Sequence, residues 1–85
     1  MIWNVVVAKP AQKGLAEFPA KDRDKIVSAL ASMATDPFAG DVLKLEGEQN
    51  RFRRRVGSYR IFFTMEQASK SVYVSAIVRR TTTTY

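Results

Sequence analysis

The chain contains no cysteine and no histidine. Without cysteine there can be neither a disulfide framework nor a thiolate metal site, and a reducing, cytoplasmic setting fits that absence. The missing histidine excludes more, because it removes the commonest general acid–base and the commonest metal ligand. The eight acidic residues are placed mostly as solvated helix or loop charges, so neither a metal nor a cofactor is expected. Apolar runs are short. None approaches the roughly 18 residues of a membrane span, and the start at Met1-Ile2-Trp3-Asn4 lacks the basic and apolar regions of a secretory signal. Any catalysis is left to arginine, lysine, tyrosine, a carboxylate or the chain termini.

What the sequence does have is positive charge, unevenly distributed. Fourteen Lys and Arg stand against eight Asp and Glu, for a formal net charge of +6. From Met1 to Leu43 five basic residues meet five acidic ones, whereas from Lys44 to Tyr85 nine meet three. The entire excess belongs to the second half, which argues for a positive face rather than for general solubility. At 85 residues and 46% hydrophobic, residues 1–85 are expected to form a single domain. Such a chain buries roughly 60–65% of its unfolded surface in one core.

The β-branched run Ile2–Val7 predicts a buried strand. Pro10 suits the first turn of a helix, and Ala11, Leu15 and Phe18 follow at one-face spacing. Gly14 weakens that helix by about 1 kcal/mol relative to alanine, so packing must hold it, and Pro19 ends it. A second helix is expected from Ala20, with Asp22 and Asp24 near its positive end. Its apolar stripe is Ile26, Leu30 and Met33, widened by Val27 and Ala34, with Lys21, Arg23 and Lys25 facing water. Thr35-Asp36-Pro37 stops it. Phe38–Asn50 reads as a loop in which Val42-Leu43-Lys44-Leu45 forms a short docked segment. Three strands follow, about Arg51–Val56, Tyr59–Met65 and Ser71–Val78, joined by short turns into an antiparallel meander. The expected fold class is α+β: β-α-α-β-β-β, an antiparallel sheet covered on one face by a helical hairpin.

The stretch Gln49–Phe63 carries five arginines on two of these strands. Alternate strand residues face opposite sides. On the later strand Tyr59, Ile61, Phe63 and Met65 share an apolar face, leaving Arg60, Phe62 and Thr64 opposite. If the apolar sets face the helices, Arg53, Arg55 and Arg60 converge on the open face. Guanidinium forks there suit phosphates, which they bind bidentately. Arg54 falls on the apolar side, where its stem should pack while its head reaches an edge. Arg51, Lys44, Arg79 and Arg80 add positive charge, Phe62 could flank a nucleotide, and Tyr85 could stack on a base. Trp3, Phe18, Phe38 and Tyr73 read as core or rim aromatics. A solvated basic face that discourages edge aggregation would use the same residue types. The confinement of the charge to one face and one half of the chain favours a polyanionic partner.

Taken together, these pieces resemble the RelE/ParE superfamily of toxin–antitoxin toxins over nearly the whole chain. The resemblance is carried by the first strand with its aromatic, the helix pair closed by Asp36-Pro37, and the segment Val42-Leu43-Lys44-Leu45-Glu46-Gly47. It continues through Phe52-Arg53-Arg54-Arg55-Val56-Gly57-Ser58-Tyr59-Arg60-Ile61 to the Arg80…Tyr85 ending. It implies a RelE-like fold, a cognate antitoxin that wraps the protein, and contact with operator DNA only through the antitoxin complex. For the RelE branch it also implies a metal-independent endoribonuclease that cleaves mRNA in the ribosomal A site. The catalytic residues so implied are Arg53 and Arg55 as the basic pair, Arg60 on the scissile phosphate, Arg80 as proton donor to the leaving oxygen, and Tyr85 stacking on a base. Arg51, Arg54, Phe62, Arg79 and Lys44 would contact RNA. The best-known members carry lysine at the basic pair. Arginine, with a pKa above about 12, is a poor base, so Arg55 is expected to stabilise charge. Two other readings are a ParE-like poison of DNA gyrase and a catalytically silent nucleic-acid-binding module.

Overall fold

In the computed structural model, which describes residues 2–45, 47 and 50–79, a five-stranded sheet carries two helices. The elements run β1 (Asn4–Val7), α1 (Lys9–Glu17), α2 (Ala20–Thr35), β2 (Asp41–Lys44), β3 (Arg51–Val56), β4 (Tyr59–Glu66) and β5 (Ser71–Arg79). Spatially the strands are ordered β1-β5-β4-β3-β2. The α+β layout is as expected, with two differences. The docked segment is a true edge strand, β2, antiparallel to β3. The sheet is also mixed, because β1 lies parallel to β5. A parallel pair needs a crossover, usually helical, and here α1 and α2 belong to the connection between them.

The core lies between the helices and one sheet face. The stripe of α2 is Ile26, Ala29, Leu30 and Met33, all buried, with Ala11 contributed by α1. The expected widening by Val27 fails: Val27 is 48% exposed, because positions 26, 29, 30 and 33 already complete the i, i+3, i+4, i+7 stripe. From the sheet, Tyr59, Ile61, Phe63 and Met65 of β4 and Val72, Val74 and Ile77 of β5 complete the core. The strict burial alternation of β4 matches the parity reading. β1 differs from the expectation of a buried strand. As an edge strand it buries only one side, leaving Val6 exposed.

Gly14 explains itself in this packing. A Cβ there would stand 3.3 Å from the Ile77 carbonyl oxygen, so glycine lets α1 approach the β5 backbone and recovers in packing what it loses in propensity. Arg23 is half-buried rather than solvated. Its Nη1 donates to the Ala16 carbonyl (3.3 Å), one of the last-turn carbonyls of α1 that lack an intrahelical donor. No helix among the described residues is long and apolar enough to cross a membrane.

Candidate nucleic-acid interface

The sheet face opposite the helices is built from cross-strand rows whose members share a side. One row is Val78–Arg60–Arg55–Asp41, the next Ala76–Phe62–Arg53–Leu43, and a third Val6–Tyr73–Thr64–Arg51. The two-residue turn at Gly57-Ser58 sets this register by making Val56 and Tyr59 partners. Arg53, Arg55 and Arg60 are thereby brought together on one face, as strand parity implies, and Arg51, expected at the periphery, shares that face as the partner of Thr64. Arg55 and Arg60 are direct partners, one strand spacing (about 4.8 Å) apart. Like charges placed directly opposite are destabilising, so the register holds together two side chains whose own repulsion would separate them.

Neutralisation on these rows is sparse. Among the described residues the one ion pair is Arg55 Nε to Asp41 Oδ2, 3.5 Å, with both side chains well exposed. Asp41 belongs to β2, inside the stretch whose sequence reads as a loop, and only the pairing of β2 with β3 sets it beside the arginines. The Nε atoms of Arg51, Arg53 and Arg60 are buried without a hydrogen-bond partner, and so is that of Arg54 on the covered side. Phe62 lies between Ala76 and Arg53 in its row, half-buried beside the arginine stems.

Arg54 has a different environment. It lies on the helix side, where Nη1 donates to the Ala29 carbonyl (3.0 Å) and to Ser32 Oγ (2.8 Å). Ser32 Oγ in turn donates to the Ala29 carbonyl at 2.7 Å. Gly40, at φ +83°, lies against the guanidinium, and a Cβ there would come within 3.0 Å of Arg54 Nε and Nη2. Arg54 therefore ties β3 to the middle of α2 and to the loop that follows it. The stem packs as expected, but the head is held by the helix instead of reaching an edge.

Arg79 also sits on the covered side, opposite Tyr59, with its guanidinium 5.9 Å from the ring centroid. Tyr59 donates to Asp22 Oδ2 (2.8 Å) and packs on Phe18. Burial, reinforced by the hydrogen bond and the charge of Asp22, pushes the Tyr59 hydroxyl above its ordinary value of 10.0, against the opposing pull of Arg79. Lys44, the partner of Phe52, is on the covered side at the β2 edge. Arg80 and Tyr85 lie outside the described residues. Of the other aromatics, Trp3 and Phe18 pack against the core, while Phe38 and Tyr73 are exposed.

No protein-family model and no curated protein matches the sequence. Solved structures do. A chain of the archaeal RelE–RelB complex from Pyrococcus horikoshii OT3 superposes with a TM-score of 0.86 at 23% identity, over 98% of this chain and 100% of that one. The chain has the RelE-like fold. A chain of the Mycobacterium tuberculosis toxin–antitoxin complex RelBE2 gives 0.83 at 18% identity, covering 94% of this chain and all of the other. A YoeB/ParE toxin from Agrobacterium tumefaciens gives 0.74 at 17% identity, over 89% and 96%. Two helices and a five-stranded mixed sheet are thus shared at identities where little beyond the fold is common.

Proposed function

We propose that this protein is the toxin of a toxin–antitoxin pair and a ribosome-dependent mRNA endoribonuclease that inhibits translation in the cytoplasm. The observation that carries the reading is the placement of Arg53, Arg55 and Arg60 on one open face, with Arg55 directly opposite Arg60. Several proteins with this fold are chains of RelE–RelB complexes, which supports a cognate antitoxin as partner, with operator DNA reached only through that complex.

The chemistry suits these residues. The ribose 2′-oxygen loses its proton and bonds to the adjacent phosphorus while the bond from phosphorus to the 5′-oxygen breaks. That 5′-oxygen takes up a proton. The products are a 2′,3′-cyclic phosphate and a 5′-hydroxyl. Negative charge builds on the phosphoryl oxygens in between, and fixed cationic donors aimed at that charge lower the barrier. Arg60 grips the scissile phosphate, and Arg53 and Arg55 stabilise the developing charge. The family resemblance assigns protonation of the leaving oxygen to Arg80 and base stacking to Tyr85.

Ribosomes programmed with a defined mRNA test this directly. Addition of the protein should yield A-site fragments bearing 5′-hydroxyl ends. Arg60→Ala and Arg80→Ala should each lower the cleavage rate by about 100-fold or more without changing the circular dichroism spectrum. Intact mRNA together with trapped gyrase–DNA complexes would replace this reading with gyrase poisoning. RNA binding with neither activity would leave a nucleic-acid-binding module.

A further inference from the structure

The open face is divided into two halves of different chemistry. Its β3–β4 half carries Arg51, Arg53, Arg55 and Arg60, whereas its β5–β1 half carries Val78, Ala76, Tyr73 and Val6. Tyr73 and Val6 are parallel-strand partners, 42% and 40% exposed. Both belong to the row that continues through Thr64 to Arg51, so the Tyr73 backbone lies two strand spacings, about 10 Å, from that of Arg51.

A β-bulge produces this arrangement. The β4–β5 register shifts between Phe62 and Phe63, which pair with Ala76 and Val74 and leave Ser75 as the extra residue. Ser75 Oγ donates to the Phe62 carbonyl at 3.3 Å. Beyond the bulge the alternation is reversed. Val72, Val74 and Ile77 all reach the core, while Tyr73 stays on the open side with Ala76 and Val78. Bulges commonly re-aim side chains beside functional sites.

We infer that Tyr73, flanked by Val6, is a stacking platform for one unpaired base of a single-stranded RNA whose phosphates lie along the arginine rows. This rests on the RNA reading of the arginine face and extends it to the other half of the sheet. The occupant follows from charge and shape together. The arginines call for closely spaced anions on the same face as an exposed aromatic ring, and single-stranded RNA supplies phosphates and planar bases in one chain. Thr64 is the partner of Tyr73 on the side toward Arg51, and it is a short residue. Aromatic stacking accepts every base, so the platform contributes affinity and register without sequence choice.

Equilibrium binding of a fluorescent mixed-sequence oligoribonucleotide, measured over a range of salt concentrations, tests the assignment. Tyr73→Ala should weaken binding by about tenfold, and Tyr73→Phe should stay within about twofold of the wild type. The slope of log affinity against log salt should be the same in all three proteins, because Tyr73 releases no counterions. A single abasic position walked along the oligonucleotide should lower wild-type affinity at one register and leave the Tyr73→Ala protein unaffected. Wild-type affinity retained in folded Tyr73→Ala would overturn the platform while leaving the arginine site standing. Failure of the wild type to bind RNA even at low salt would overturn both. Unchanged RNA binding with loss of a co-purifying antitoxin would give this half of the face to a protein partner and overturn the platform as well.

Discussion

Arg54 and its neighbours Arg53 and Arg55 share a strand and a residue type but not an environment. Arg54 turns toward the helices and finds the Ala29 carbonyl and Ser32 Oγ. Arg53 and Arg55 turn away. Arg55 meets Arg60 across the ladder and an exposed carboxylate at 3.5 Å, and Arg53 faces Phe62 in the next row. One guanidinium is consumed by the fold, and the other two are presented by it. A run of arginines is therefore not a measure of binding surface, because period-2 alternation assigns successive members to opposite tasks.

The strongest way to break this comparison is to truncate the structural member. Hydrogen bonds from a charged group contribute about 1.5–3 kcal/mol, and the stem adds packing. Arg54→Ala should therefore destabilise the protein by about 2–3 kcal/mol, lowering the thermal midpoint by about 10–20 °C in a domain of this size. RNA affinity, measured on the folded protein at low temperature, should change little. Arg53→Ala should do the reverse, leaving the midpoint within a few degrees and reducing the salt slope of RNA binding by about one.

A second contrast concerns pH. The Tyr59 hydroxyl titrates above its ordinary value, chiefly because it is buried and then because it donates to Asp22. The protonated form is thus favoured by folding. That contribution is fully present below the unfolded value of about 10 and is lost as pH rises through the higher folded value. Thermal midpoints measured from about pH 9 to pH 11 should fall more steeply in the wild type than in Tyr59→Phe. Equal slopes would show that the covered side does not sense alkaline pH through this residue.

The smallest effect is expected at Asp41. Exposed ion pairs contribute about 0–1 kcal/mol, so Asp41→Asn should scarcely move the midpoint. It removes the one carboxylate paired with the arginine rows among the described residues. RNA affinity at low salt should rise about two- to threefold and converge with the wild type as salt screens the difference. A fall in affinity would mean that Asp41 orients Arg55 rather than merely neutralising it.

Local rules carried the reading of the fold some distance. Pro10, Pro19 and Asp36-Pro37 bounded both helices, and the alternation of Tyr59–Met65 named four core residues of β4. They failed where a longer-range decision intervened. Asp41–Lys44 is too short to show a period, and only its pairing with β3 makes it a strand. Ala29 rather than Val27 faces the core, a choice of roughly one side of the stripe made by helix docking. Nothing in Ser71–Arg79 announces the bulge at Ser75, which puts Ile77 in the core and Ala76 and Val78 on the open side with Tyr73. The partners of Arg54 lie 25 and 22 residues away in sequence, beyond any local pattern.

By itself, then, the amino-acid order determined which residue types were available and with what period. It set an arginine-rich hairpin, an amphipathic helix pair and a charge excess confined to one half of the chain. These follow from propensity, proline placement and alternation, which act over a few residues. Tertiary structure alone decided which arginines meet each other, which one is spent on α2, and that β1 joins β5 in parallel. It also decided that one extra residue at Ser75 keeps Tyr73 on the arginine face while Ile77 returns to the core. Those outcomes depend on register and docking between distant segments, where burial of apolar side chains and pairing of backbone donors must be satisfied together.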